Sequence, residues 1–189
     1  MQNGADNRTD NKDEVIICRA VARPGNLDLV KLFFEEGVNV NSIGSDGEIC
    51  LITAVKYGDY EIVKFLVLNG ADVNATDKNG KSVLCAAVAR RNFDMVELLV
   101  EHRADITDRT SALYVAARLN DMKSVKFLVK SGLKVAKAND GVLFLRIAAK
   151  VNNLEMLKFF LECNEYVDNI DEIYTLLLHD AIENSSLEI

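Results

Sequence analysis

The chain has 189 residues, of which 49% are hydrophobic and 27% are charged, and its formal net charge is −7. This apolar content predicts a folded protein with a large core. The acidic charge argues against nucleic acid as a partner, because nucleic-acid binding calls for a basic surface. No apolar run reaches the length of a membrane span, about 18 residues, so no membrane partner is expected.

The first 13 residues are polar throughout and carry no secretion signal. We expect residues 1–13 to form a disordered tail and the protein to be cytoplasmic. The folded part is then expected to begin at residue 14.

A leucine followed three residues later by an alanine returns along the rest of the chain. Successive leucines lie 33, 29, 32 and 33 residues apart, and Cys18 occupies the equivalent place 33 residues before the first of them. Self-similarity at this period indicates a solenoid, in which each repeat buries its apolar face against its neighbours. The pairs are Leu51 and Ala54, Leu84 and Ala87, Leu113 and Ala116, Leu145 and Ala148, and Leu178 and Ala181.

Helical segments are expected in each repeat, and for reference the one that carries the leucine is called the inner helix and the one that follows it the outer helix. Apolar residues such as Ile62, Val63 and Leu66 recur on one face of the outer helices. A residue that tolerates left-handed backbone should follow each helix. Arg91 and Arg103 take that place in the third repeat, at an expected cost of roughly 1 kcal/mol each. The other such residues are Gly25, Gly58, Asn120 and Asn152 after inner helices, and Gly37, Gly70, Gly132 and Asn164 after outer helices.

Helix starts and ends carry weaker signals. Only Ser82 and Ser111 offer a hydroxyl cap at the start of an inner helix. The single proline, Pro24, should cut the first inner helix short. A last inner helix is expected at about residues 173–183, and the few residues after it match only the start of an outer helix. The sequence therefore predicts either fraying of this segment or a longer natural protein.

The best-preserved repeat begins at residue 77 with Asp-Lys-Asn-Gly-Lys-Ser-Val-Leu, and the repeat before it closes at residues 69–74 with Asn-Gly-Ala-Asp-Val-Asn. This pattern resembles the ankyrin repeat. The resemblance implies an all-α ankyrin-repeat solenoid of helix–turn–helix units with short β-hairpin-like finger loops. It covers residues 14–189, in approximate repeats at 14–42, 43–75, 76–107, 108–136 and 137–169, with a partial sixth at 170–189.

The sequence gives no sign of a metal site or of catalysis. No Cys-x-x-Cys pair exists, and the two histidines are not spaced as ligands. Because Cys18, Cys50 and Cys85 fall on inner helices, we expect the four cysteines to be free thiols, mostly in the core, without metal or disulfide. No phosphate-loop, dinucleotide, nucleophile-elbow or metalloprotease motif is present. We therefore expect no cofactor and no enzymatic activity.

The resemblance also implies where a partner would bind. Ankyrin repeats generally use the tips of the fingers and the exposed side of the inner helices, which together line a concave groove. The matching positions are Ser45, Asp46, Glu48, Lys56, Tyr57, Lys78, Asn79, Lys81, Arg90, Arg118, Leu119, Asn139, Asp140, Lys150 and Val151.

One column of this surface is basic, although the chain as a whole is acidic. The position after the small pair of each inner helix reads Arg23, Lys56, Ala89 with Arg90 beside it, Arg118 and Lys150. Stacked helices lie about 10 Å apart, so this column would extend roughly 40 Å. Long polar side chains can simply keep a wet groove soluble, or they can attract an acidic segment of another protein. Both interpretations stay open.

The finger between the third and fourth repeats, around residues 107–110, is four residues shorter than the others, since 29 residues join Arg103 to Gly132 where 33 join Gly37 to Gly70. One explanation is decay of the repeat, because loops tolerate changes in length. The alternative is that the short finger leaves a notch that admits a bulky element of a partner.

The resemblance implies a monomeric scaffold or adaptor that holds a segment of another protein in the groove. Two alternatives stay open. The chain could be the targeting or regulatory arm of a larger enzyme or channel, or a host-directed effector of an intracellular bacterium or virus.

Overall fold

A computed structural model of the protein describes residues 11–44, 47, 49–57, 59–106, 112–132 and 138–163, with the isolated positions 175 and 179; within these, the side chains of 11–15 and 138–140 are left aside. The described residues form ten α-helices and no extended sheet, which confirms the all-α prediction. None of these ten helices is long and apolar enough to cross a membrane. The helices are α1 Asn11–Val21, α2 Leu27–Glu35, α3 Cys50–Tyr57, α4 Tyr60–Leu68, α5 Val83–Ala89, α6 Phe93–Glu101, α7 Ala112–Arg118, α8 Met122–Lys130, α9 Ala138–Lys150 and α10 Leu154–Cys163.

The chain divides into two compact units, an N-terminal unit of residues 1–105 and a C-terminal unit of residues 106–189. In the N-terminal unit the inner helices α1, α3 and α5 contact one another in order, and the outer helices α2, α4 and α6 do the same. Each inner helix also contacts the outer helix that follows it. In the C-terminal unit α7 contacts α8 and α9, and α9 contacts α10. Each unit is thus a stack of helix pairs.

The repeated leucines and alanines form the core of both units, which confirms the interpretation of the period. In the first four of the five pairs, from residue 51 to residue 148, each of the eight side chains is at most 1% exposed. The apolar face of the outer helices is buried as well, and Ile62, Val63 and Leu66 are fully buried. Aromatic rings join neighbouring helices: Phe34 meets Phe65 edge-on, and Phe144 stacks on Phe160 with ring centroids 5.2 Å apart. Leu178 and Ala181 lie outside the described residues.

The residues expected to follow the helices have left-handed backbone. Positive φ angles occur at Gly25, Gly37, Gly70, Gly132, Asn120 and Asn152, as the sequence predicts. The two arginines are confirmed too, with φ of 55° at Arg91 and 66° at Arg103. A β-carbon is strained in this conformation, so both arginines carry a conformational cost. Gly58 and Asn164 lie outside the described residues.

Replacing Arg103 with glycine is expected to raise the free energy of unfolding by about 0.5–1 kcal/mol. The left-handed conformation costs roughly 1–2 kcal/mol for a residue with a β-carbon, and the greater freedom of glycine in the unfolded chain returns about half of that gain. Arg90, with φ of −77°, is the matched control, because Arg90→Gly relieves no strain and should lower stability. Urea unfolding curves of the two variants would measure the difference. A less stable Arg103→Gly protein would contradict the prediction.

The finger loops that follow α2 and α4 are short and hairpin-like, as predicted. Isolated antiparallel bridges join Ile43 to Ile49 and Thr76 to Ser82. Asparagine side chains connect successive loops of the N-terminal unit. Asn41 donates to the carbonyl of Gly70 at 3.3 Å and accepts from the N–H of Asp72 at 2.8 Å. Asn74 accepts from the N–H of Asp105 at 2.6 Å in the same way.

The helix starts partly follow the predictions. Ser82 caps α5 by accepting from the N–H of Cys85, as expected, while Ser111 lies outside the described residues. The helix α1 ends at Val21, three residues before Pro24. It begins at Asn11, so residues 11–13 of the predicted tail are helical, and residues 1–10 lie outside the described part. Outer helices α4, α6 and α8 are capped by the side chains of Asp59, Asn92 and Asp121.

The expectation of four free cysteines is wrong in the structure. Cys18 on α1 and Cys50 on α3 form a disulfide with their Cα atoms 4.9 Å apart, within the range of disulfide geometry. The two cysteines are 32 residues apart, one residue less than the repeat length. They therefore lie at nearly equivalent positions of adjacent inner helices, where their side chains face each other. Spacing rules for metal sites do not detect such a pairing between repeats. Cys85 and Cys163 are not part of a disulfide.

Three further predictions concern parts of the chain that the structure describes incompletely or not at all. In the partial sixth repeat only Thr175 and His179 are described, and both are helical and exposed. The shortened finger at 107–110 lies outside the described residues. Among the described residues no cluster of three or more histidine, cysteine, aspartate or glutamate side chains is placed to hold a metal ion. That the whole chain binds no metal stays a prediction.

Candidate partner-binding site

The predicted partner-binding residues fall into both units. Ser45, Asp46 and Glu48 lie outside the described residues, and Asn139 and Asp140 belong to α9 without described side chains. The others are described with their side chains. The N-terminal unit holds Lys56, Tyr57, Lys78, Asn79, Lys81 and Arg90, and the C-terminal unit holds Arg118, Leu119, Lys150 and Val151.

A buried carboxylate organises part of the surface in the N-terminal unit. The side chain of Asp77 is only 7% exposed and accepts from the backbone N–H groups of Asn79 and Lys81 at 2.8 and 2.9 Å. The ammonium group of Lys56, in the last turn of α3, lies 3.6 Å from the other carboxylate oxygen. Asp77 therefore holds the finger in place. It also pairs with Lys56, which the sequence analysis predicted to contact a partner.

The pKa of Asp77 lies below its ordinary value. Burial acts in the opposite direction, because it disfavours the charged form. The N–H groups of Lys81 and Asn79, together with the positive charge of Lys56, outweigh that effect. Asp77 is consequently ionised at neutral pH.

Replacing Asp77 with asparagine is expected to lower the free energy of unfolding at pH 7 by about 1.5–3 kcal/mol, the range for hydrogen bonds to a charged group. The folded pKa is depressed, so the carboxylate's contribution is present above the unfolded pKa of about 4 and disappears as the pH falls through the folded pKa. The difference in the free energy of unfolding between the parent and Asp77→Asn should therefore become smaller below about pH 4. Urea unfolding between pH 7 and pH 3 would show it.

The control for this measurement is Asp72→Asn. Asp72 is exposed and accepts a backbone N–H from Asn74, but no ion pair involves it among the described residues. Its replacement should change stability little at any pH. A gap for Asp77→Asn that stays constant down to pH 3 would mean that the charge of Asp77 does not stabilise the finger.

The other predicted residues of the N-terminal unit lie at the surface. Tyr57, the last residue of α3, is 55% exposed, and the finger side chains of Lys78, Asn79 and Lys81 are exposed as well. Arg90 is exposed directly after α5. This surface thus offers one aromatic side chain and several cations to a partner.

The C-terminal unit contains a cavity of about 540 Å³ on the side of α7 and α9. The residues that line it recur three or four apart along each helix, so they share one helical face. Three of the four predicted residues of this unit are among them, and Leu119 is not. The lining consists of Tyr114, Arg118, Leu143, Arg146, Ile147, Lys150 and Val151.

The cavity combines positive charge with apolar surface. The guanidinium carbon of Arg118 lies 5.6 Å from the centre of the Tyr114 ring, a cation–π contact that orients the charge. Arg146 and Lys150 lie one turn apart on α9, whose final turn contains Lys150. Among the described residues that line the cavity none is acidic. The cavity is therefore suited chemically to an anionic group attached to an apolar one.

Sequence reasoning missed four of the lining residues. The sequence analysis considered only one basic position in each inner helix. It therefore did not predict Tyr114, Leu143, Arg146 and Ile147. The signal was present in the helical spacing, since Tyr114 precedes Arg118 by four residues and Arg146 precedes Lys150 by four. Residues one turn away share the same face and complete the cavity.

Stacked helix pairs joined by short hairpin-like loops, with one face of the inner helices exposed, define a helical repeat protein. A family model described as ankyrin repeats (3 copies) matches residues 17–110 and 51–139. The chain belongs to the ankyrin repeat family. Ankyrin repeats are generally protein–protein interaction modules and typically non-enzymatic. None of the curated proteins matches the chain. The number of repeats, five and a partial sixth, stays a prediction.

Proposed function

We propose that this protein is a non-enzymatic scaffold or adaptor whose inner-helix face binds an acidic segment of another protein. The observation that carries the proposal is the cavity of the C-terminal unit, where Arg118, Arg146 and Lys150 come together in a chain of net charge −7. Positive side chains grouped on one face of an acidic chain attract an acidic segment.

The two units contribute differently to this recognition. In the N-terminal unit Lys56 already pairs with Asp77, so its contribution to a partner is smaller than the sequence predicted. Tyr57 and Arg90 are exposed and remain the main groups for contact there. Exposed ion pairs contribute roughly 0.2–1 kcal/mol each. The cations therefore govern the association rate and the salt dependence, and buried aromatic contacts govern the affinity.

The test is capture of partners from a native lysate with two matched double variants. Arg118→Glu with Lys150→Glu reverses two charges of the cavity. Lys130→Glu with Lys158→Glu reverses two exposed charges on α8 and α10, outside the cavity lining. We expect the first variant to lose a defined set of proteins that the parent and the second variant retain. Circular dichroism would establish that both variants are folded. Capture of the same proteins by all three would contradict the proposal.

With a captured partner, Tyr57→Ala is expected to weaken binding by about tenfold or more, because interface energy is concentrated in buried aromatic and arginine anchors. Lys81→Ala, on the neighbouring finger, is expected to weaken it less than fivefold, as for an exposed charge. Isothermal titration calorimetry at two salt concentrations would measure both. A larger loss from Lys81→Ala than from Tyr57→Ala would refute the role of Tyr57.

A further inference from the structure

The cavity between α7 and α9 has two kinds of wall. Its charged groups are the guanidinium groups of Arg118 and Arg146 and the ammonium group of Lys150. Its apolar groups are Leu143, Ile147 and Val151, together with the ring of Tyr114, which Arg118 covers. Leu143 is 36% exposed although it is a large apolar residue. A ligand that satisfies both walls must carry strong negative charge and an apolar body.

The charged wall favours a phosphate over a carboxylate. A carboxylate brings one negative charge, whereas a phosphate ester brings about 1.5–2 at neutral pH and three acceptor oxygens. Guanidinium groups match phosphate oxygens through pairs of parallel hydrogen bonds. The contact with Tyr114 restrains Arg118 before a ligand arrives, which lowers the entropic cost of binding.

The apolar wall and the size favour an aromatic ester. The cavity, about 540 Å³, lies within the range of about 300–1,000 Å³ for sites that enclose a small organic ligand. It is far larger than a phosphate group alone requires. A flat aromatic ring fills such space and buries a large apolar area at little cost in conformational entropy.

We infer that this cavity binds a phosphotyrosine side chain of a partner protein, an inference that rests on the proposed function and specifies its ligand. The phosphate contacts Arg118 and Lys150. The ring packs against Leu143, Ile147 and Val151. The acidic segment of the partner is then recognised chiefly through one phosphorylated residue.

The experiment compares four capped pentapeptides, Gly-Gly-X-Gly-Gly, in which X is phosphotyrosine, tyrosine, phosphoserine or glutamate. Each is titrated into the full chain labelled with ¹⁵N, and the backbone amide shifts of α7 and α9 are followed. We expect the phosphotyrosine peptide to give saturable shifts there with a Kd at least tenfold below that of each other peptide. The tyrosine peptide measures the contribution of the ring alone, and the phosphoserine peptide measures that of the phosphate without the ring. The glutamate peptide measures the contribution of an ordinary negative charge.

Two variants and a control connect the binding to the cavity. Arg118→Gln and Lys150→Gln are each expected to raise the Kd of the phosphotyrosine peptide at least fivefold. Lys130→Gln, at the exposed end of α8, should leave that Kd unchanged. Because Lys150 is exposed at the end of α9, its replacement tests the inference even if Arg118→Gln does not fold. If Lys130→Gln lowers the affinity for the peptide as much as the two cavity variants do, the peptide binds through the general positive charge of the surface and not through the cavity.

Several results would overturn the inference. Equal binding of the phosphoserine or glutamate peptide, or no saturable shift with the phosphotyrosine peptide, would exclude a phosphotyrosine site. Tighter binding to vesicles that contain phosphoinositides than to the phosphotyrosine peptide would point to a membrane surface instead. If the peptide fails while the Arg118 and Lys150 charge reversal still removes captured proteins, the proposed function stands and only this inference is wrong. If both fail, both are wrong.

Discussion

Replacing Phe144 with alanine is expected to lower the free energy of unfolding of the C-terminal unit by about 3–5 kcal/mol, the range for removing a buried aromatic residue. Phe144 is 1% exposed on α9 and stacks on the fully buried Phe160 of α10. Its loss leaves a void between these helices that the remaining side chains cannot fill without moving. Since α9 carries Arg146 and Lys150, the cavity should lose its shape as well.

The adjacent pair of phenylalanines on α10 supplies the control. Phe159 is only half-buried and lies at a tilt to Phe160, with ring centroids 5.8 Å apart. Phe159→Ala should therefore cost less than half as much as Phe144→Ala. Urea unfolding followed by hydrogen exchange at α9 amides would separate the two variants. Similar losses for both would show that the stacked pair is not the centre of this core.

The second large effect concerns the disulfide of the N-terminal unit. Replacing both Cys18 and Cys50 with alanine is expected to lower the free energy of unfolding by about 2–4 kcal/mol. The bond joins residues 32 apart, so removing it frees a long loop in the unfolded chain. In the reduced protein the Cys18 thiol can donate to the carbonyl of Ser42, 3.5 Å away, so reduction should cost less than replacement.

Cys85→Ala is the matched control for this prediction. Cys85 is also buried on an inner helix, one repeat further along, but it forms no disulfide. Its replacement removes a sulfur atom without removing a cross-link. Under denaturing conditions without reductant, the parent should show two titratable thiols, those of Cys85 and Cys163. Four titratable thiols would mean that the disulfide does not form and that the original expectation from the sequence was right.

The features predictable from the sequence are those that the period itself determines. The buried leucines and the strained arginines at 91 and 103 followed from aligning equivalent positions of successive repeats, whereas the hairpin-like loops followed from the resemblance to the ankyrin repeat. Arg103, for example, was identified because glycine stands at the same place in the repeats before and after it. Backbone conformation repeats with the sequence, so a single well-preserved repeat predicts the others.

The features that could not be predicted depend on which side chains face each other across neighbouring elements. The pairing of Cys18 with Cys50 and of Lys56 with Asp77 joins residues of adjacent repeats, and neither leaves a pattern within one repeat. The cavity residues Tyr114 and Arg146 were missed for a related reason. They occupy the same helical face as predicted residues, but alignment by repeat position does not show which neighbours close a cavity.

The asparagine bonds between loops have a consequence for how the N-terminal unit comes apart. Asn41 and Asn74 each satisfy backbone groups of the following loop, about 30 residues further along the chain. Opening one loop leaves the next without its partner, at a net cost of about 0.5–1.5 kcal/mol for each hydrogen bond lost. In a linear stack such terms between neighbours determine cooperativity. We therefore expect disorder that starts at one loop to spread to the next, so that the three helix pairs of this unit melt together.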